Sequence, residues 1–120
     1  MPEAEITIYH NPSCGTSRSV LAYLRENGHA PRVVEYLKTP LSKAELAALI
    51  KDMQVPVKSV VREKEKLFGE LALSGVSDAA LLDAMANHPI LMNRPIVVVK
   101  NGAKVQAKLC RPSETVREIV

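Results

Sequence analysis

Apolar and polar residues alternate from Glu5 to Tyr9, and this period of two predicts a half-buried strand. His10-Asn11-Pro12-Ser13 then breaks the alternation with turn formers. From about Gly15 the period becomes helical. Val20, Leu21 and Leu24 form a stripe that stops at Asn27-Gly28, a good C-terminal signal. Arg32 to Leu37 predicts a second strand. A strand, a helix and a strand of these lengths make a βαβ unit, whose strands should run parallel with a right-handed crossover.

The middle of the chain is helical in pattern. Ser42-Lys43-Ala44-Glu45 is a capping box ahead of Leu46, Leu49, Ile50 and Met53. Pro56 interrupts, a further helix is expected over 57–61, and Ser77-Asp78 caps a segment carrying Leu81, Leu82 and Met85 that Pro89 closes. After Pro95 the strand pattern returns in Ile96 to Val99. Asn101-Gly102 is a strong two-residue hairpin signal, with Val105 to Leu109 pairing back. Pro112 at a first helical position and Glu114 in the first turn predict a closing helix, Pro112 to Ile119. The order is βα, β, a helical insert, then ββα. This predicts an α/β, thioredoxin-like domain over residues 1–120, with a four-stranded mixed sheet flanked by helices and an insert at about 41–88.

Composition narrows the function. The 120 residues are 47% hydrophobic and 24% charged, as in an ordinary globular domain. With no Trp, one Phe and three Tyr, the core must come from aliphatic side chains. The same scarcity argues against a base-stacking surface, and the net charge of +3 is scattered, so nucleic acid is not expected as a partner. No run approaches a membrane span, and the acidic start Met1-Pro2-Glu3-Ala4-Glu5 is unlike a signal peptide, so a cytoplasmic location is expected. The two cysteines, 14 and 110, are far apart, and paired Cys and His at zinc spacing are absent, so neither a standing disulfide nor a metal is expected.

Cys14 falls between the first strand and the first helix, at the carboxyl edge of the sheet where open α/β folds place ligands. A lone cysteine is often a small buried apolar residue. Here its neighbours Pro12, Ser13, Gly15, Thr16 and Ser17 form a polar turn, which favours chemistry. The amides of a helix N-terminus attract an anion, and Arg18 and a protonated His10 would add positive charge. An ordinary thiol is only about 3% ionised at pH 7, so such help is what makes a nucleophile.

Three separated segments carry a resemblance: Tyr9-His10-Asn11-Pro12-Ser13-Cys14-Gly15-Thr16-Ser17-Arg18, His88-Pro89-Ile90-Leu91-Met92-Asn93-Arg94-Pro95-Ile96-Val97, and Leu109-Cys110-Arg111-Pro112-Ser113-Glu114. In order and spacing they resemble the arsenate reductases that depend on glutathione and glutaredoxin. The resemblance implies that Cys14 is the nucleophile and His10 the histidine that helps hold its thiolate. It implies that Arg62, Arg94 and Arg111 surround the oxyanion, and that Asn11, Gly15, Thr16, Ser17 and Arg18 support the loop. It implies arsenate as substrate, glutathione as co-substrate, glutaredoxin as partner and no bound cofactor. Planar, permanently charged arginine forks suit a tetrahedral anion. Arg94-Pro95 resembles the cis-proline position of thioredoxin-like folds, where the sequence alone predicts trans. Arg62 also reads as part of an exposed polar run, Arg-Glu-Lys-Glu-Lys.

The chain departs from this family in ending at Val120, where relatives often carry a longer tail, in a longer Val99–Leu109 hairpin, and in a short leading run, Met1 to Ala4, expected to be disordered. Two other readings compete. Regulators related to Spx, which bind RNA polymerase without being enzymes, typically carry Cys-x-x-Cys at this turn, whereas the fourth position here is Ser17. A general glutaredoxin-like thiol–disulfide protein would not need three arginines. The Cys-x5-Arg cradle of phosphatase-like reductases is excluded, since Val20 stands six after Cys14. His29 reads as a surface loop residue, and Cys110 as the end of a strand.

Overall fold

The computed structural model describes residues 4–120, so the expectation for Met1 to Ala4 lies outside the described residues except at Ala4 itself, which is exposed and precedes the first strand. The chain forms two compact units. One holds the residues up to Thr39 together with Arg94–Val120, and the other is Pro40–Asn93.

In the first unit the alternating segment forms β1 (Glu5–His10), followed by α1 (Gly15–Glu26) and β2 (Arg32–Glu35). β3 (Ile96–Asn101) and β4 (Lys104–Leu109) complete a sheet of order β2-β1-β3-β4. β1 runs parallel to β2 and antiparallel to β3, and β3 and β4 are antiparallel. The α/β, thioredoxin-like mixed sheet expected from the sequence is therefore present. Ile6 and Ile8 of β1 and Val97 and Val99 of β3 point to the face on which the α1 stripe Val20, Leu21 and Leu24 packs. Truncating a fully buried member such as Leu24 to Ala would cost about 2–5 kcal/mol.

Three details differ from the sequence-based expectation. β2 ends at Glu35 rather than Leu37, because the amides of Lys38 and Thr39 both donate to the Glu35 carbonyl and turn the chain, with Tyr36 fully buried in the turn. The hairpin turn sits one residue later than Asn101-Gly102. Asn101 pairs with Lys104, so the two loop residues are Gly102 and Ala103, and Gly102 takes the positive φ of 63°. A positive φ at the first loop position alone is the type II′ arrangement, which wants glycine there and matches the twist of the ribbon. The closing segment is a 3-10 helix, Ser113–Glu118, rather than an α-helix over Pro112 to Ile119. Pro112 is its N-cap, and the Thr115 amide donates to the Pro112 carbonyl in the i→i+3 manner. Val116 joins the core, and the Arg117 guanidinium lies 5.6 Å over the Tyr23 ring of α1.

The second unit holds α2 (Lys43–Met53), a short α3 (Lys66–Glu70) and α4 (Asp78–Asn87), with 3-10 turns at Val57–Val60 and Pro89–Leu91. Leu46, Leu49, Ile50 and Met53 bury one face of α2, and Leu81 and Met85 one face of α4. An antiparallel bridge Val61–Met92 ties the middle of this unit to its last residues, with the Arg62 amide on the Leu91 carbonyl and the Asn93 amide on the Val60 carbonyl, both at 2.7 Å. The capping box forms as expected: Ser42 Oγ accepts from the Glu45 amide at 3.1 Å, and Glu45 Oε1 accepts from the Ser42 amide at 3.0 Å. Ser42→Ala should therefore destabilise the protein by about 1 kcal/mol, read as a lower chemical-denaturation midpoint at unchanged slope. A midpoint equal to wild type would mean that the cap adds nothing.

Candidate active site

A turn of polar residues and proline leads into α1. The chain leaves β1 at His10, turns through Asn11-Pro12-Ser13 and enters α1 at Gly15, which makes Cys14 the N-cap, with extended φ −95° and ψ 122°. The turn is held by its own groups. The Cys14 amide donates to the Asn11 carbonyl at 3.0 Å, the Ser13 amide to Asn11 Oδ1 at 2.9 Å, and the Arg18 guanidinium to the Pro12 carbonyl at 2.9 Å. Arg18 thus gives one of its donor nitrogens to the loop. Gly15 takes no unusual φ, and a Cβ there would meet only Arg18 Nη2 at 3.7 Å, so its place at the helix start is not forced by crowding. Thr16 is half-buried in the first helical turn.

The sheet register brings the arginines to this edge. Ile96 pairs with Leu109, and the Cys110 amide donates to the Pro95 carbonyl at 2.9 Å, so Arg94 and Arg111 are the next residues across from one another. Arg111 Nη1 lies 3.2 Å from the Arg94 carbonyl and 3.5 Å from Cys14 Sγ. Arg94 is half-buried and Arg111 is exposed. The peptides Arg94-Pro95 and Arg111-Pro112 are both cis, so the trans geometry that the sequence alone predicts for Arg94-Pro95 does not hold.

Cys14 is buried, while Pro12, Ser13 and Gly15 beside it are exposed. Burial pushes its thiol pKa up, but other groups outweigh it and leave the thiol below its ordinary range. These are the Ser17 amide, the Arg111 hydrogen bond, and the charges of Arg94 and Arg111. The Ser17 amide, in the first turn of α1, favours the sulfur's anion although the Cys14 side chain makes no capping hydrogen bond. The positive charge expected from Arg18 and His10 is thus replaced by that of Arg94 and Arg111. His10 is buried at the end of β1, and burial lowers its pKa, with Arg25 and Arg18 acting the same way against the attraction of Glu35. Its Nδ1 lies 2.6 Å from Ser17 Oγ, so its ring bonds to that hydroxyl.

Arg62 belongs to the second unit. Its guanidinium lies 3.5 Å from Glu65 Oε2 and donates to the Ile90 carbonyl at 3.4 Å, so it is half-buried rather than part of a solvated run. The Arg94 carbonyl as an anchor for Arg111 is a main-chain group that no residue type announces. Among the described residues no group of three or more His, Cys, Asp or Glu side chains could hold a metal ion, and no helix is long and apolar enough to cross a membrane.

Cys110 contrasts with Cys14. It is fully buried against Val116 and the sheet, its Sγ 3.6 Å from the Lys108 carbonyl, and burial pushes its thiol up to about 12. Iodoacetamide at pH 8 should therefore add one carbamidomethyl group to the folded protein, on Cys14, and a second only after denaturation. Intact-mass spectrometry reads both, and two adducts on folded protein would contradict the assignment of Cys110 as inert.

The sequence pattern of the ArsC family matches residues 9–119. The chain is 53% identical to the arsenate reductase of Rhizobium meliloti (strain 1021) over 117 residues, covering 96% of this chain and 81% of that protein. It is 46% identical to the arsenate reductase of Escherichia coli (strain K12), covering 98% of this chain and 82% of that protein. Its fold superposes on an arsenate reductase from Vibrio cholerae with a TM-score of 0.91 at 46% identity, covering 99% of this chain and all of the other.

Proposed function

The chain belongs to the ArsC family, and on that premise we propose that it is an arsenate reductase whose nucleophile is Cys14. The observation that carries this reading is the sulfur at the N-cap of α1, 3.5 Å from the Arg111 guanidinium, with its pKa lowered by the Ser17 amide and two arginines. A thiol held below its ordinary range ionises more readily and stands beside donors for an oxyanion.

The thiolate attacks arsenic(V), forming a sulfur–arsenic bond as one arsenate hydroxyl takes a proton from solvent and leaves as water. Arg94 and Arg111 balance the charge of the remaining oxygens. Two electrons must then reach arsenic, and Cys14 supplies only half of them. Ser17 occupies the position of a resolving thiol and Cys110 is inert, so the second thiol is external, and glutathione fits. A sulfur–sulfur bond forms between Cys14 and glutathione as the sulfur–arsenic bond breaks. Its electron pair stays on arsenic, which becomes arsenic(III). Glutaredoxin then takes glutathione from Cys14 and restores the thiol. For Arg62 the support is the family resemblance, and the KM for arsenate of Arg62→Lys tests its share in oxyanion binding.

The decisive assay is arsenate-dependent NADPH oxidation with glutathione, glutaredoxin and glutathione reductase present. Turnover should vanish when glutathione is omitted, and Cys110→Ser should keep most of it. The species trapped on Cys14 should carry the mass of one glutathione. A Cys14–Cys110 disulfide after one turnover, with Cys110→Ser inactive, would replace this scheme with a self-resolving one.

A further inference from the structure

Arg18 is an exposed cation at the rim of the Cys14 turn, and the oxyanion chemistry makes no use of it. Its Nη1 donates to the Pro12 carbonyl at 2.9 Å. Its Nη2 stands over the start of α1, where a Cβ on Gly15 would come within 3.7 Å of it. Among the described residues Arg18 makes no other side-chain hydrogen bond and no salt bridge. A guanidinium carries its N–H donors in a planar fork. With Nη1 fastened to the loop, the edge formed by Nε and Nη2 is left, and such an edge takes a carboxylate two-pronged. The anchor also orders the side chain before a ligand arrives, which lowers the cost of ordering it on binding. Its charge is not among those that favour the Cys14 thiolate, which come from Arg94 and Arg111.

Glutathione is a co-substrate that such a group fits. Its carboxylates stand several bonds from its sulfur, so a cation set apart from the thiolate suits it better than one on the sulfur. The direction of approach agrees. Displacement at sulfur runs in line, with the incoming sulfur opposite the departing arsenic. Arg94 and Arg111 hold the arsenic side, and of the residues flanking the buried Cys14 it is Pro12, Ser13 and Gly15 that lie exposed. Arg18 is fastened to the first of these and lies beside the last. We propose that Arg18 is a specificity-determining residue for the thiol: its Nε–Nη2 edge binds a glutathione carboxylate and places the glutathione sulfur for attack on Cys14. The glutathione thiol gives its proton to solvent and its sulfur bonds to that of Cys14. The sulfur–arsenic pair stays on arsenic, which departs as arsenic(III).

This inference rests on Cys14 being the reactive thiol. It is read first without arsenate, so its failure is distinct from a failure of the reductase assay. Reduced protein is mixed with a charged disulfide, that of glutathione, or with a neutral one, bis(2-hydroxyethyl) disulfide. In each case the Cys14 thiolate attacks one sulfur, forms a mixed disulfide and releases the other half as a thiolate, and intact-mass spectrometry follows the adduct. Arg18→Ala should slow the glutathione reaction about fivefold, the scale of an exposed ion pair, and the neutral one by less than about twofold. Arg18→Lys should recover part of the loss, since it keeps the charge without the fork. Rising salt should shrink the difference. With arsenate present, Arg18→Ala should lower kcat/KM for glutathione about fivefold and leave the KM for arsenate unchanged. Equal slowing with both disulfides would overturn the proposal, because loosening of the Pro12 turn alone would do that. So would a wild-type rate with glutathione disulfide, or a raised KM for arsenate in Arg18→Ala.

Discussion

Cys14→Ser should abolish arsenate-dependent turnover while leaving the protein as stable as wild type or more so. The activity is lost because a serine hydroxyl is not ionised near neutral pH and is no substitute for a thiolate. The fold is kept because position 14 is an N-cap without a capping hydrogen bond, and serine is among the residues preferred there. A serine oxygen that captures the Ser17 amide would add up to about 1 kcal/mol. The advantage should depend on pH in a defined direction. The folded-state pKa of Cys14 lies below its unfolded value, so the thiolate stabilises wild type fully above the unfolded pKa. That contribution is lost as pH falls through the folded pKa. The serine variant should accordingly compare best at low pH and lose ground as pH rises. Retention of even about a tenth of wild-type turnover would remove Cys14 from the nucleophile's role.

Arg111→Ala should lower kcat/KM for arsenate by about 10²–10³, the usual effect of removing one preorganised donor from a developing charge. Arg111 touches the sulfur and is anchored by the Arg94 carbonyl through the same nitrogen, which leaves its remaining N–H groups for substrate oxygens. Lysine cannot reproduce this division, since its ammonium is a single point on a flexible stem. Arg111→Lys should therefore recover only a small part of the loss, and Arg94→Lys should also be clearly impaired. The alanine variant should raise the alkylation midpoint of Cys14, because a hydrogen bond and a charge that favour its anion are gone. Activity within a factor of two of wild type in both Arg111→Ala and Arg111→Lys would place the oxyanion elsewhere.

The parts of the fold legible in the sequence were those written in long periods. β1, α1, the start of the parallel partner β2, the capped α2 and the α4 stripe stand where their hydrophobic patterns put them. The failures lie where one or two backbone bonds decide. The hairpin turn moved by one residue because Gly102 is needed at the first loop position, and an Asn-Gly pair does not say which place its glycine fills. The last segment is a 3-10 helix with Pro112 as its cap, in a run too short for a helical stripe to be read. α3 arose in Lys66–Glu70, which buries no residue fully and so has no periodicity to read. At the candidate site, the polar turn singled out Cys14 for chemistry, and the three arginines came from the resemblance. The source of its activation was not. Sequence proximity suggested Arg18 and His10, whereas Arg18 is bound to the Pro12 carbonyl and His10 to Ser17. The charges that reach the sulfur come from residues about eighty and a hundred positions away, which only sheet register brings near.

That register also limits how the ribbon can change length. β3 and β4 have equal arms of six residues, closed by a two-residue turn, and their ladder runs without a skipped partner from Asn101–Lys104 to Ile96–Leu109. An insertion in one arm alone would leave Arg94 and Arg111 out of step by one place, unless the extra residue were expelled as a bulge. One residue added to each arm, by contrast, lengthens the ribbon by a rung at its tip and leaves its open end unchanged. The tip lies about 17 Å from that end, at 3.4 Å per residue. Length variation in this exposed hairpin is therefore silent for the chemistry only when it comes in matched pairs.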